Sequence, residues 1–126
     1  MICKVSRELR NEQGAVLVRE LGIARTFRER AVGLLGRRYL SADQGLYLEQ
    51  CCCVHMIGMR FPVDVVFLDA HGMIVQMRSM LRPWRIALCW EAGHTLELAA
   101  GTIEALRLQE GQYLFPGSGS CTPECC

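Results

Sequence analysis

The segment Val63 to Asp69, which reads VDVVFLD, constrains the fold more than any other part of the chain. Val63, Val65 and Phe67 point to one face of an extended strand, while the apolar residues between and after them point to the other. A strand that is apolar on both faces must be covered on both faces. Asp64 alone breaks this apolar pattern, and the proline before the strand belongs at its start because proline donates no ladder hydrogen bond.

Other segments supply the neighbours of that strand. Ala15 to Ala24 is β-like, and Thr26 with Glu29 predicts a capping box that opens a helix. The run LYLEQCCCVHM predicts one or two strands. After the hairpin that Asp69 opens, we expect further elements: a strand at Met73–Arg78, a loop with Pro83, a strand near Thr95–Leu98, a helical turn at Thr102–Arg107 and a last strand at Gln112–Phe115.

The length of 126 residues fits one domain with one hydrophobic core. We expect a single α+β domain over residues 1–115, mainly antiparallel β, with a small sheet resembling an open barrel and one or two short helices. The tail, residues 116–126, contains three cysteines and reads PGSGSCTPECC. Its composition predicts disorder.

Charge and hydropathy exclude several classes of partner. Fourteen basic and thirteen acidic residues give a net charge of +1, which favours no nucleic-acid partner. No apolar run approaches the ~20 residues of a membrane span. The charged N-terminus MICKVSRELRNEQG lacks a signal-peptide core, so we expect a cytoplasmic protein with reduced thiols.

The stretch from Cys51 to Asp69 holds most of the chemistry, on or beside what we interpret as the central strand. Cys51, Cys53 and His55 share one face of an extended strand, a spacing that can place ligands on one zinc ion. Structural zinc normally needs four ligands, and no CxxC or HxxxH motif supplies the others. The sequence therefore requires no cofactor, and these cysteines read equally well as small core residues.

A thiol nucleophile is a second interpretation of the same stretch. Cys51 or Cys53 would be activated by His55, with the imidazole oriented by Asp64. Side chains two residues apart on a strand are ~7 Å apart at the backbone, which makes a direct contact awkward. No nucleophile elbow or glycine-rich oxyanion loop accompanies them.

Two acidic residues and a tryptophan complete the set of candidates. A carboxylate at Asp64 needs partners, for which Arg60 and Arg30 are candidates, or it caps backbone groups at the start of the strand. For Glu97, strand alternation by itself predicts an outward side chain. Trp84 lies between two arginines in a proline-containing loop, an arrangement suited to a contact surface.

Five motifs in order give the chain a family resemblance: RTFRERAVGLLGR, GLYL, HMIGMRFPVDVVFLD, LELAAGT and EGQYLF. Together they resemble the family DUF192, also called UPF0127, over about Ala24 to Phe115. The resemblance implies a mainly β domain with one or two short helices and no established activity. The family's motif residues fall on Arg30, Gly33, Leu34, Pro62, Asp64, Phe67, Asp69, Glu97, Leu98 and Gly101. His55 stands where many members have tryptophan, so a role tied to that tryptophan does not transfer.

These observations favour a non-catalytic binding or accessory domain for a small molecule or a protein partner. Its contact surface would gather His55, Arg60, Asp64 and Trp84, with Arg30 as a further candidate. The alternative is a metal- or thiol-dependent enzyme that uses Cys51, Cys53, His55 and Asp64. The two hypotheses differ in whether those side chains converge in an accessible cleft.

Overall fold

The structure, a computed structural model, describes residues 7–26, 29 and 33–117. This part of the chain is mainly β with one short helix. The elements are β1 (Arg7–Asn11), β2 (Val16–Ala24), β3 (Gln44–Glu49), β4 (Cys53–His55), β5 (Val63–Leu68), β6 (Ile74–Leu81), β7 (Ile86–Leu88), β8 (His94–Ala99), α1 (Thr102–Ala105) and β9 (Leu114–Pro116).

Seven strands form one sheet in the order β6-β5-β8-β3-β2-β1-β9, and β4 pairs with β7 in a separate two-stranded sheet. All pairings are antiparallel except that of β2 with β3. The large sheet is not closed into a barrel. Within the described residues, an isolated bridge joins Met73 and Tyr113, which precede the two edge strands β6 and β9. The prediction of a mainly antiparallel β domain is confirmed.

Strand β5 divides the core into two layers, as its two apolar faces predict. Val66 and Leu68 pack in one cluster with residues of β1, β2 and β8 and with Ile103 of α1. Val63, Val65 and Phe67 pack in a second cluster, which the two-stranded sheet supplies with Val54, Ala87 and their neighbours. Every residue of β5 is buried, because the large sheet is covered on both sides at this point.

The cysteines of the central stretch lie beside the central strand and not on it. Gln50 takes a left-handed conformation (φ 52°) that ends β3. The Thr95 hydroxyl then donates to the Cys51 carbonyl oxygen at 2.7 Å. This anchor directs the chain into β4, whose strand partner is β7 rather than β5.

Both ends of the predicted domain can be compared with the structure. The capping box is present, since Thr26 N–H donates to Glu29 Oε1 at 3.0 Å and Glu29 N–H donates to Thr26 Oγ1 at 3.1 Å. Residues 27, 28 and 30–32 of the helix predicted from Phe27 lie outside the described residues, and residues 33–36, predicted as its end, form turns. Pro116, which the sequence assigned to the tail, pairs with Leu9 at the end of β9, and residues 118–126 lie outside the described residues. Across the described part of the chain, no helix has the length and apolar content for a membrane crossing.

Candidate functional site

Asp64 is fully buried and is satisfied by the backbone. Its Oδ1 accepts the Met80 N–H at 2.8 Å, and its Oδ2 accepts the Ile103 N–H at 2.9 Å. The first bond crosses a bulge in β6, where the β5–β6 register shifts between Val63 and Val65. The carboxylate thus joins three elements, β5, β6 and α1.

Arg60, one of the two arginines that the sequence proposed as partners, does not make these contacts. The backbone-capping alternative for Asp64 is the one observed. Arg60 is exposed in the segment between β4 and β5, and Arg30 lies outside the described residues. Because Asp64 has no exposed surface, it is not available to a partner on the protein exterior.

Glu97 is the second buried carboxyl group, and here the expectation of an outward side chain is wrong. Glu97 shares the face of Val65, and residues Leu34, Val54 and Met59 from outside the large sheet cover that face. Leu46 of β3 and Val65 of β5 stand opposite it, and Glu97 is 5% exposed. Burial raises the pKa of this carboxyl group to about 7. No donor among the described residues forms a hydrogen bond that would offset the burial.

Glu97 lines a small cavity of about 30 Å³ together with Cys51, Cys53 and His55. Apolar side chains such as Leu48 and Met59 form other parts of its wall. A cavity of this size holds about one water molecule or one ion of similar size. The structure therefore brings three of the sequence candidates together around a carboxyl group.

The thiols at this cavity have properties that bear on their chemistry. Cys51 Sγ donates to the Cys53 carbonyl oxygen at 3.0 Å, so its thiol hydrogen is already used. Burial raises the pKa of the Cys53 thiol, and the neighbouring Cys51 and Cys52 raise it further. A raised pKa lowers the thiolate fraction at neutral pH, which is the opposite of what nucleophilic catalysis needs.

Metal ligation can be tested on the same side chains. Among the described residues, no three His, Cys, Asp or Glu side chains are arranged to hold a metal ion. The chemistry of Cys51, Cys53, His55 and Glu97 suits zinc, but their present arrangement does not form a ligand set. The tail cysteines lie outside the described residues.

A wider groove adjoins the small cavity. It has a volume of about 560 Å³ and shares Gly33 and Leu34 with the cavity. Polar groups of Glu20, Arg37 and Gln44 also line it. Its volume falls in the range of small-molecule sites, about 300–1,000 Å³.

The two-stranded sheet presents an apolar surface that the sequence indicated only at Trp84. Trp84 is 68% exposed, Ile86 63%, Leu88 39% and Trp90 82%. Cys53 pairs with Leu88 and His55 pairs with Ile86, and both β4 residues are exposed as well. The alternation of large apolar residues at 84, 86, 88 and 90 was the sequence signal for this surface.

The fold and the cavity define a small β domain with no complete catalytic signature in the part of the chain that the structure describes. The chain belongs to the family DUF192, described as "Uncharacterized ACR", whose model matches residues 8–115. No curated protein matches the chain.

Two solved structures are similar to this one. A "putative transcription regulator" from Sinorhizobium meliloti 1021 has a TM-score of 0.77 and 24% identity, covering 90% of this chain and 93% of that chain. A protein of unknown function from Novosphingobium aromaticivorans DSM 12444 has a TM-score of 0.74 and 19% identity, covering 87% of this chain and 83% of that chain. At these identities the likeness shows the shared fold alone.

Proposed function

We propose that this protein is a non-catalytic binding domain for a small cationic ligand whose positive charge is held at Glu97. The observation that carries the proposal is the unpartnered Glu97 carboxyl group, 5% exposed, at the wall of a cavity of about 30 Å³. An ionised carboxylate buried without a donor or a counter-charge is costly. A cation in the cavity would remove that cost.

The surroundings support a compact cationic group rather than a large one. The cavity has room for one ammonium group or one metal ion, and the rest of an organic ligand would extend into the adjoining groove past Gly33 and Leu34. Cys51, Cys53 and His55 line the same cavity. The cytoplasmic location expected from the sequence is part of this proposal, because free thiols persist in a reducing compartment.

Binding of a cation at Glu97 is linked to ionisation of that carboxyl group. With a pKa of about 7, Glu97 is largely protonated at pH 6 and largely ionised at pH 8. Affinity for the cation should therefore rise with pH across this window. A bound cation should in turn lower the pKa of Glu97.

The test follows the Glu97 carboxyl resonance by NMR through a pH titration, alone and with methylammonium, Zn²⁺ or Co²⁺ as the probe. We expect one of these cations to lower the pKa of Glu97 and to raise the melting temperature at pH 8. Glu97→Gln should abolish the thermal effect, while Glu104→Gln, at an exposed position, should retain it. If every probe affects wild type and Glu97→Gln equally, the proposal fails.

The two sources of positive charge give different signals. Co²⁺ bound by Cys51 or Cys53 would show a thiolate charge-transfer band, which an organic ammonium cannot produce. Loss of the band in Cys53→Ser and His55→Asn, but not in Cys89→Ser, would identify a metal ion as the ligand. Binding of methylammonium without any metal effect would identify an amine.

A thiol-dependent enzyme is the second candidate, because Cys51, Cys53 and His55 line one cavity. It ranks below the binding domain for two reasons. The pKa of Cys53 is raised, and Asp64 is engaged by backbone groups and so is not free to orient His55. Alkylation of Cys53 by iodoacetamide faster than that of free glutathione at pH 7 would reverse this order.

A further inference from the structure

The outer side of β7 carries a second inference, independent of the Glu97 cavity. Cys89 N–H donates to the Cys52 carbonyl at 2.9 Å, and Met56 N–H donates to the Arg85 carbonyl at 2.7 Å. Odd-numbered residues of this segment therefore direct their backbone groups toward β4. Since these directions alternate along a strand, the N–H and C=O groups of Ile86 and Leu88 lie on the outer edge. That edge has no strand partner among residues 7–26, 29 and 33–117.

An open strand edge with apolar side chains beside it is a template for pairing with another strand. Here the side chains of Ile86 and Leu88 are 63% and 39% exposed, and Trp84 and Trp90 flank the strand with 68% and 82% exposure. Monomeric proteins rarely leave such a concentration of apolar surface in contact with water. The surface formed by these four residues is called the β7 face below.

We propose that the β7 face is the interface of a two-fold symmetric dimer, in which β7 pairs antiparallel with β7 of a second copy. A two-fold axis at Ala87 sets Ile86 opposite Leu88 of the second copy, so that their outward backbone groups bond with each other. The same register sets Trp84 near Trp90 of the second copy. Every apolar residue of the face then meets another, as a self-complementary interface requires.

Charge and area are consistent with a second copy as the occupant. Arg85 and Glu91 are both exposed. In this register Arg85 of one copy lies diagonally across from Glu91 of the second copy, at a distance that long side chains can span. Each buried tryptophan covers about 150–250 Å². With Ile86 and Leu88, each copy offers on the order of 500 Å². The two copies together therefore approach the total buried area of about 1,000 Å² that a specific interface needs.

The experiment is sedimentation velocity of the full chain in reducing buffer, from low micromolar to submillimolar concentration, because reducing buffer prevents disulfide-linked dimers. We expect a reversible monomer–dimer equilibrium in wild type. Leu88→Lys and Trp90→Ser should each weaken dimerisation about tenfold or more, since central apolar and tryptophan contacts dominate interface energies. Tyr39→Ser, at a residue that is 71% exposed and outside β4 and β7, is the matched control.

Each possible outcome of this experiment either supports or overturns the dimer. A dimer that is lost in both β7 variants and retained in Tyr39→Ser supports the proposal, provided that circular dichroism shows both β7 variants folded. Wild type that stays monomeric at every concentration overturns it. A wild-type dimer that neither folded β7 variant weakens also overturns it, because the interface would then lie elsewhere.

Discussion

Asp64 and Glu97 occupy adjoining strands of one sheet, yet the structure treats these two carboxyl groups in opposite ways. Val65 pairs with Glu97 and Asp64 pairs with Leu98, so the two side chains are one register step apart and on opposite faces. Asp64 accepts two backbone N–H groups, whereas Glu97 accepts none from the described residues. Two buried carboxyl groups of one sheet therefore differ in the supply of hydrogen-bond donors.

The two residues also differ in what surrounds them. Asp64 lies where a β-bulge and the first turn of α1 bring free N–H groups together. Glu97 lies between Leu46 and Val65 and lines a cavity whose wall also includes Cys51, Cys53 and His55. The first environment supplies two hydrogen-bond donors to the carboxyl group. The second supplies none from the described residues, and in our proposal a bound cation compensates for that.

The largest expected effect is that of Asp64→Ala. Removal of this carboxylate leaves the buried Ile103 N–H without an acceptor, at about 1–3 kcal/mol, and the partly buried Met80 N–H at a smaller cost, so we expect a loss of about 2–4 kcal/mol. Asp64→Asn, which keeps one acceptor oxygen, should lose less. Urea denaturation at pH 7 measures both. A loss below about 1 kcal/mol in Asp64→Ala would show that the backbone bonds are replaceable, and the contrast with Glu97 would disappear.

The next effect is the pH dependence that Glu97 imposes on folding. Its pKa rises from 4.5 in the unfolded chain to about 7 in the fold, so the folded state binds the proton more tightly. The contribution of Glu97 to the free energy of unfolding is fully present below pH 4.5 and is lost as the pH rises through 7. The decline amounts to about 3 kcal/mol, since each unit of pKa difference corresponds to about 1.4 kcal/mol.

Comparison with Glu97→Gln isolates this contribution from that of other titrating groups. We expect the variant to be more stable than wild type at pH 8 and about equal to it near pH 4.5. Unfolding free energies at matched pH measure the difference. A Glu97→Gln variant that is less stable than wild type at pH 8 would mean that the carboxylate already has a partner.

The smallest effect concerns the wall of the cavity. Thr95→Val removes the hydroxyl that donates to the Cys51 carbonyl, and we expect a loss of about 1 kcal/mol. A looser wall should admit water to Glu97 and lower its pKa from about 7. Thr95→Ser keeps the hydroxyl and should keep the pKa. An unchanged Glu97 pKa in Thr95→Val would show that this bond does not keep the cavity dry.

Much of the fold was predictable because it follows from local patterns. The two apolar faces of β5, the turn after Asp69 and the capping box of Thr26 and Glu29 all appear as expected. In the turn, Gly72 N–H donates to the Asp69 carbonyl at 3.1 Å, and Gly72 takes a φ of 91°. Each of these features depends on residues close in sequence, so their physical causes are visible in the chain itself.

The candidate site was less predictable, because long-range pairing determines its environment. Sequence reasoning selected Cys51, Cys53 and His55, which line the cavity, but it expected Glu97 to face outward. Alternation places a residue on one face or the other of a strand and says nothing about what covers that face. Glu97 is buried because Leu34, Val54 and Met59, from segments distant in sequence, cover the face that it shares with Val65.

The sequence by itself determined the mainly β architecture, the family and the position of β5 in a doubly covered sheet, since these depend on the order and periodicity of apolar residues. Only the tertiary structure decided which carboxylate is satisfied. The Met80 and Ile103 N–H groups reach Asp64 from 16 and 39 residues away, and the wall that holds Glu97 without a donor comes from separate segments. Hydrogen-bond donors in a folded core are assigned by proximity in space, and spacing along the chain does not encode that proximity.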